Sequence, residues 1–114
     1  MELEKSDRPW GRYEVLQEAE GHKVKCIWVK SGSRLSYQKH QKRSEHWFIV
    51  SGTADVTLEG VEFKKRPGET VDVKVGQLHR IGNSGSDELV FIEIQTGTYF
   101  GEDDIERVSD DYSR

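Results

Sequence analysis

Two imidazoles, a carboxylate and an amide, carried by two short segments, are the side chains of this sequence most suited to chemistry. The segment QKHQKRSEHW contains Gln38, His40 and Glu45, and the later segment VGQLHRIGN contains His79. Alternate side chains of a strand share one face, so Gln38 and His40 point the same way, and an antiparallel return strand can bring Glu45 beside them. Imidazole nitrogens with carboxylate and amide oxygens suit divalent first-row metals. We therefore predict that these four residues hold a metal, while His46, which alternates with Glu45, faces away.

Composition limits the partners and the architecture that can position such a site. The chain has 114 residues, a net charge of −4, 33% hydrophobic and 33% charged residues. We expect one domain over residues 1–114 with a polar-lined interior, and no nucleic-acid or membrane partner. The single cysteine, Cys26, excludes an internal disulfide. The first ten residues lack an apolar signal region, which predicts a cytoplasmic protein. Two basic runs, 39–43 and 64–66, are interpreted as solvated loop charges.

Short runs rich in Val, Ile, Trp and Phe recur along the chain and are separated by glycine-containing turns. They predict strands in the stretches KVKCIWVK, EHWFIVS, ADVTLE, TVDVKV and LVFIEIQ. Many short strands at this spacing are typical of an all-β sandwich or barrel. We predict an ordered N-terminal arm over residues 6–16 that leads into the first strand. For the acidic end of the chain we predict a short helical tail around Asp103 to Val108.

The spacing of the candidate ligands resembles the two consensus motifs of the cupin superfamily. The first motif runs Gly-x5-Gln-x-His-x4-Glu-x6-Gly from Gly32 to Gly52. The second runs Gly-x5-Lys-x-Gly-x2-His-x3-Asn from Gly68 to Asn83. Gln38 stands where the first motif usually has a histidine. The resemblance implies a single cupin domain, a double-stranded β-helix of the jelly-roll type.

A longer stretch, LSYQKHQKRSEHWFIVSGTADV, narrows the resemblance to the cupin domain of type II mannose-6-phosphate isomerases. The similarity continues in RPWGRYEVL, in LHRIGN and in the closing GEDDIERVSDDYSR, and so covers nearly the whole chain. Many members carry this domain behind a mannose-1-phosphate guanylyltransferase domain. This sequence contains no Gly-rich phosphate loop, so guanylyl transfer is not expected. Gly82 departs from the family pattern, which often has a glutamate there.

The resemblance implies metal-dependent interconversion of mannose 6-phosphate and fructose 6-phosphate, with Zn, Mn, Co, Ni or Fe as the one divalent ion. Such an isomerase moves a proton between C2 and C1, and a divalent cation stabilises the charge that develops. In the strand LVFIEIQTG, alternation places Glu93 and Gln95 together on the inward face, so Glu93 is the candidate general base. Lys25, in a neighbouring strand, is a candidate acid/base partner or electrostatic anchor. A structural ion pair between Lys25 and Glu93 is an equally open interpretation.

A sugar phosphate substrate also requires cations near the mouth of the barrel. Arg34, Arg80 and Arg107 are the candidates because each lies beside a motif, and arginine suits bidentate phosphate recognition. Arg80 is counted with the catalytic residues. Gln95 and Tyr99 complete the predicted substrate-binding set.

Two further hypotheses concern function and assembly. The alternative to the isomerase is a non-catalytic, metal-binding cupin that binds a small sugar phosphate. Turnover distinguishes the two, because a binding protein gives saturable binding without product. The stretch HWFIVSG exposes His46, Phe48 and Val50 on an outer strand face, which predicts a homodimer that buries this face.

Overall fold

The computed structural model describes residues 3–112, which form two antiparallel β-sheets. Valine, isoleucine and aromatic residues at alternate positions favour strands, and glycine turns separate them. Within the described residues the strands are β1 (Lys5–Arg8), β2 (Gly11–Ala19), β3 (His22–Val29), β4 (Ser33–Arg34), β5 (Tyr37–Lys39), β6 (Arg43–Ser51), β7 (Ala54–Leu58), β8 (Val61–Lys65), β9 (Thr70–Val73), β10 (His79–Asn83), β11 (Leu89–Gly97) and β12 (Glu106–Ser109). The predicted all-β class is confirmed.

The first sheet has the strand order β1-β2-β3-β11-β6-β9, and the second has the order β12-β5-β10-β7-β8. The short strand β4 also pairs with β10. The predicted N-terminal arm contributes β1, which forms a hairpin with β2. No helix long and apolar enough to cross a membrane occurs in residues 3–112.

The inward faces of the long strands divide into an apolar level and a polar level. In β11 the buried side chains change from Leu89 and Phe91 to Glu93 and Gln95. The antiparallel register then places Glu45 of β6 opposite Gln95. The inward positions of β3 change from apolar to polar at the same level, and those of β6 change one inward position later, because Trp47 lies opposite Glu93. The hydrophobic core therefore fills one level of the interior, and charged side chains are gathered at the other.

The predicted C-terminal helical tail is wrong. Residues 101–105 form turns and bends, and Glu106–Ser109 is strand β12, which pairs with β5 in antiparallel register. Gln38 of β5 lies opposite Arg107 in this pairing. An open strand edge offers unpaired backbone groups, and pairing with it satisfies more hydrogen bonds than one isolated helical turn. The tail therefore extends along the sheet that carries Gln38 and His79.

Gly97 allows the polar end of the first sheet to close tightly. It ends β11 with a φ of +154°, and a Cβ atom at this position would lie 2.3 Å from the carbonyl oxygen of Lys42 and 2.9 Å from the Cα of Arg43. Any side chain would push the two strands apart there. The glycine thus fixes the backbone from which Arg43 enters the interior.

Candidate metal centre

His40, Glu45 and His79 converge at the polar level of the interior. One nitrogen of each imidazole and one carboxylate oxygen lie within 4.8 Å of one another. His40 Nε2 is 3.1 Å from Glu45 Oε2, and His79 Nε2 is 3.7 Å from Glu45 Oε1. All three side chains are buried. Gln38, buried beside them, lines the same cavity and lies opposite His79 in the β5–β10 pairing.

Backbone carbonyl oxygens orient both imidazoles. His40 Nδ1 lies 2.6 Å from the carbonyl oxygen of Asp104, and His79 Nδ1 lies 2.9 Å from that of Gln77. A carbonyl oxygen can only accept, so each Nδ1 carries the proton that it donates. Each Nε2 is then left with its lone pair facing Glu45. Hydrogen bonds of this kind fix the tautomer of metal-binding histidines in proteins.

The donor set fits a divalent cation. Two imidazole lone pairs and an ionised carboxylate face one another in a buried space, where acceptors repel unless a positive charge lies between them. Burial raises the pKa of Glu45, but the adjacent imidazoles of His40 and His79 and the positive charge of Arg43 outweigh it and hold this pKa well below its usual range, so Glu45 is an ionised acceptor. Nitrogen and oxygen ligands of this type accept several first-row metals, so the set does not select among them.

Arg43 is the residue of the centre that sequence reasoning missed. Its side chain is 4% exposed, which contradicts the interpretation of the run 39–43 as solvated charge. Nη2 lies 3.0 Å from Glu45 Oε2 and 3.2 Å from His40 Nε2. Nη1 is buried and has no partner within residues 3–112. The available signal was alternation, because Arg43 lies two residues before Glu45 on the same strand face.

Glu93 faces the cavity as the alternation of β11 predicted. Its Oε2 accepts a hydrogen bond of 3.2 Å from Trp47 Nε1, which also donates to Glu45 Oε1 at 3.1 Å. Its Oε1 accepts a bond of 2.6 Å from Gln95 Nε2. Burial and the negative charge of Glu45 raise the pKa of Glu93 to about 7. The indole thus links the two carboxylates of the centre.

The ion pair of Lys25 is made with Glu102 rather than Glu93. Lys25 is 4% exposed, and its Nζ lies 2.6 Å from Glu102 Oε1 and 4.2 Å from the centroid of the Tyr13 ring. Burial lowers the pKa of Lys25, but the charges of Glu93 and Glu102 outweigh it and keep the ammonium form. Glu102 comes from the C-terminal segment, so that segment closes one side of the cavity.

The predicted arginines separate into two groups. Arg80 and Arg107 line the cavity, as do Lys25 and Glu93. Arg80 donates to the carbonyl oxygens of Leu35 and Ser109, and Arg107 Nε lies 4.0 Å from Asp110 Oδ2.

Three other predicted positions lie outside the cavity. Arg34 borders a separate groove and forms a two-point ion pair with Asp111. Gly82 borders the same groove, and a Cβ there would lie 2.8 Å from Arg34 Cβ. Tyr99 is 40% exposed and hydrogen-bonds Asp103. A glutamate at position 82 would therefore project toward Arg34 and not toward His40 and His79.

Asp104 joins the C-terminal segment to the turn between β5 and β6. Its carboxylate accepts hydrogen bonds from the backbone N–H groups of Gln41 (3.1 Å) and Lys42 (2.9 Å), while its carbonyl oxygen accepts from His40. Asp104 thus fixes both the conformation of this turn and the orientation of the His40 imidazole. The C-terminal segment therefore positions His40, a predicted metal ligand, without supplying a ligand itself.

We expect Asp104→Ala to weaken metal binding by roughly 10- to 100-fold, the usual cost of losing an interaction that supports a ligand. The alanine keeps the carbonyl oxygen but releases the turn that fixes its position. Competition with a chromophoric chelator measures the change. Asp103→Ala is the control, because the adjacent Asp103 contacts Tyr99 instead. Equal metal affinity in the two variants would contradict a positioning role.

Comparison with known proteins identifies close sequence relatives. Residues 2–110 match the sequence model of the family described as mannose-6-phosphate isomerase C-terminal. The alginate biosynthesis protein AlgA of Pseudomonas aeruginosa is 45% identical over 94% of this chain and 22% of its own length. A mannose-1-phosphate guanylyltransferase of Salmonella montevideo is 45% identical over 94% of this chain and 23% of its own length. The chain therefore spans about a fifth of the length of these relatives.

Solved structures share the fold at low sequence identity. A Klebsiella pneumoniae protein with a double-stranded beta-helix domain superposes with a TM-score of 0.74 at 21% identity, covering 83% of this chain and 76% of its own. The likeness confirms the predicted jelly-roll architecture, and with the family match it confirms the resemblance to cupins.

Proposed function

The chain belongs to the mannose-6-phosphate isomerase C-terminal family, and from this premise we propose that it is a metal-dependent isomerase that interconverts mannose 6-phosphate and fructose 6-phosphate. One observation carries the proposal. The converging acceptors of His40, Glu45 and His79 lie in the same cavity as the buried carboxylate of Glu93. A cation-binding cluster beside a candidate base is what proton transfer next to a carbonyl group requires.

Gln38, His40, Glu45 and His79 would hold one divalent ion, with Zn, Mn, Co, Ni and Fe all compatible with nitrogen and oxygen ligands. When bound, the ion supplies Lewis-acid stabilisation of the negative charge that develops on the sugar oxygens. The protein's part is to keep both Nε2 atoms deprotonated through the bonds at Nδ1. Arg43 adds a fixed positive charge beside Glu45.

Glu93 is the proposed general base. Its carboxylate removes the proton from C2 of the aldose and returns it to C1 of the resulting enediolate, while the hydroxyl proton passes from O2 to O1, so the ketose forms with no net gain or loss of protons. Trp47 and Gln95 each donate a hydrogen bond to it and thereby fix its orientation. Gln95 does not line the cavity, so it acts through Glu93 and not as a direct contact for the sugar.

Cationic side chains would complete the substrate site. Arg43 Nη1 is a buried donor without a protein acceptor within residues 3–112, and a sugar oxygen would satisfy it. Lys25, held as an ammonium ion by Glu102, serves as an electrostatic anchor. Arg80 and Arg107 line the same cavity and add positive potential there.

A coupled assay for fructose 6-phosphate formed from mannose 6-phosphate tests the proposal. The chelator-stripped protein is assayed with each divalent metal restored in turn. Turnover that appears only with metal supports the isomerase. Folded, metal-loaded protein that binds mannose 6-phosphate without any product would overturn it in favour of a sugar-phosphate-binding cupin.

The proposed assembly is a homodimer formed through the outer face of the first sheet. Phe48 and Val50 of β6 are 43% and 45% exposed. Register places Ile92 of β11 beside Phe48, with Cys26 of β3 on its other side. His46 projects from this outer face, where it pairs with Asp72. An apolar patch that crosses three central strands of a sheet favours burial against a second copy.

We expect Phe48→Glu to convert the dimer to a monomer, because it places a charge in the centre of the apolar patch. Light scattering coupled to size-exclusion chromatography measures the mass. Val61→Glu is the control, since Val61 is 63% exposed on β8 of the other sheet. A wild-type protein of single-chain mass at micromolar concentration would contradict the dimer.

A further inference from the structure

The cavity is lined by five cationic side chains, and their partners differ. They are Arg8, Lys25, Arg43, Arg80 and Arg107. Lys25, Arg43 and Arg107 lie near carboxylates, and Arg80 donates to backbone carbonyl oxygens. The remaining cation, Arg8, makes a single hydrogen bond within residues 3–112, to a neutral hydroxyl group, so most of its N–H donors are available to a ligand.

Arg8 is the last residue of β1 and contacts a neutral group. Its Nη2 donates to the Tyr13 hydroxyl at 3.2 Å, and its guanidinium carbon lies 5.4 Å from the centroid of the same ring. No carboxylate oxygen of residues 3–112 lies within 4.0 Å of its nitrogens. The phenol fixes the guanidinium in place without neutralising it. An arginine that is held at a cavity and contacts no carboxylate directly is suited to bind an anion.

Trp10, two residues farther along, provides an independent observation. Its side chain is 5% exposed and lines the same cavity. The indole N–H is buried and has no acceptor within residues 3–112. A buried donor without a partner costs free energy, and in folded proteins such groups are usually satisfied by water or by a ligand. An acceptor oxygen in the cavity would satisfy this one.

The surrounding charges favour an anion at this place. Arg8 and Lys25 lie on the ring of the same residue, Tyr13, at 5.4 and 4.2 Å from its centroid. Glu93 and Glu102 both act on Lys25, but the cavity as a whole is lined by five cationic side chains and by only three carboxylates, those of Glu45, Glu93 and Glu102. The lining of the cavity therefore keeps a net positive charge, and Trp10 with its unpaired indole donor belongs to the same lining.

We propose that Arg8 and Trp10 form an anion subsite that binds the phosphate group of the substrate. The identity of the ligand rests on the proposed function, whereas the subsite itself rests on the contacts of these two side chains. The guanidinium supplies charge-assisted hydrogen bonds to phosphate oxygens, and the indole N–H supplies one more. The subsite gives the N-terminal arm, and not the arginines near the two motifs, the leading part in phosphate recognition.

Isothermal titration calorimetry tests the subsite on full-length protein loaded with the metal that gives turnover, or with Zn²⁺ if none does. The probes are mannose 6-phosphate, mannose and inorganic phosphate. We expect Arg8→Ala to weaken the binding of mannose 6-phosphate and of inorganic phosphate by about 10- to 100-fold and to leave the affinity for mannose unchanged. The affinity of Arg8→Lys for these two ligands should be intermediate, and that of Trp10→Phe should fall by about 3- to 10-fold. Arg12→Ala is the matched control, because Arg12 lies over Trp28 and pairs with Glu14.

The outcomes separate this subsite from the isomerase proposal. Phosphate binding that depends on Arg8 supports the subsite even if no product forms, and then only the isomerase fails. Wild-type affinity for mannose 6-phosphate in both Arg8→Ala and Trp10→Phe would overturn the subsite even if turnover is found. A wild-type protein that binds mannose as tightly as mannose 6-phosphate would overturn it as well. Thermal unfolding confirms that each variant is folded.

Discussion

Replacing His79 with alanine is expected to abolish metal binding and, with it, isomerase turnover. His79 is 3% exposed, and its Nε2 is one of the three acceptors that face each other around Glu45. Because Nδ1 donates its proton to the Gln77 carbonyl oxygen, Nε2 carries a lone pair and is the predicted ligand atom. Losing a direct ligand should cost more than losing a supporting contact, so metal affinity should fall by more than about 100-fold. Turnover should drop to the background of the coupled assay.

Metal content after dialysis and the initial rate with excess metal are measured together for this variant. His22→Ala is the control, because His22 hydrogen-bonds Gln17 at the surface and should keep full metal content. Circular dichroism excludes unfolding as the cause of any loss. A folded His79→Ala protein that retains one metal ion per chain with unchanged affinity would contradict the assignment of this centre.

Glu93→Gln is expected to lower kcat by about 100- to 10,000-fold while leaving metal content unchanged, because the amide cannot accept the migrating proton. The substitution keeps the size of the side chain and one oxygen that can accept from Trp47. The predicted metal ligands are not altered. The expected pattern is therefore a loss in kcat with a KM that changes little.

Steady-state kinetics and metal analysis distinguish this role from a structural one. Glu62→Gln, an exposed change of the same type on β8, is the control. If Glu93 only supports the fold, the variant should melt at a lower temperature and keep its kcat. A second readout is exchange of the C2 proton with deuterated solvent, which should stop in Glu93→Gln even when substrate still binds.

The sequence determined which residue types face the interior wherever a strand was long and regular. Alternation along β11 correctly placed Glu93 and Gln95 inward, and alternation along β6 turned His46 away from Glu45. These predictions succeed because a strand has a period of two and one buried face leaves a single acceptable register. The clustering of His40 with His79 also followed from the motif spacing, and the structure brings the two together.

Tertiary contacts decided the features that the sequence could not. Asp103 to Val108 has a local composition compatible with a helix, but the open edge of β5 and the backbone N–H groups held by Asp104 make it an extended segment. The C-terminal segment also places Glu102 next to Lys25, although the two residues lie 77 positions apart in the sequence. Pairings over such distances depend on the assembled sheets and have no local signal.

The arginines show most clearly which features the sequence predicts and which depend on tertiary contacts. Arg34, beside a motif, forms an ion pair with Asp111 outside the cavity, whereas Arg43, in a run of surface-like charges, is buried against Glu45. Side-chain type and spacing show that arginines are present near the motifs. Which of them reaches the cavity depends on where the acidic partners of distant strands lie, because a buried guanidinium is stable only beside a carboxylate or another acceptor. Sequence alone thus determined the fold class and the cluster of His40, Glu45 and His79, and the packing of the two sheets and the C-terminal segment determined the rest of the site.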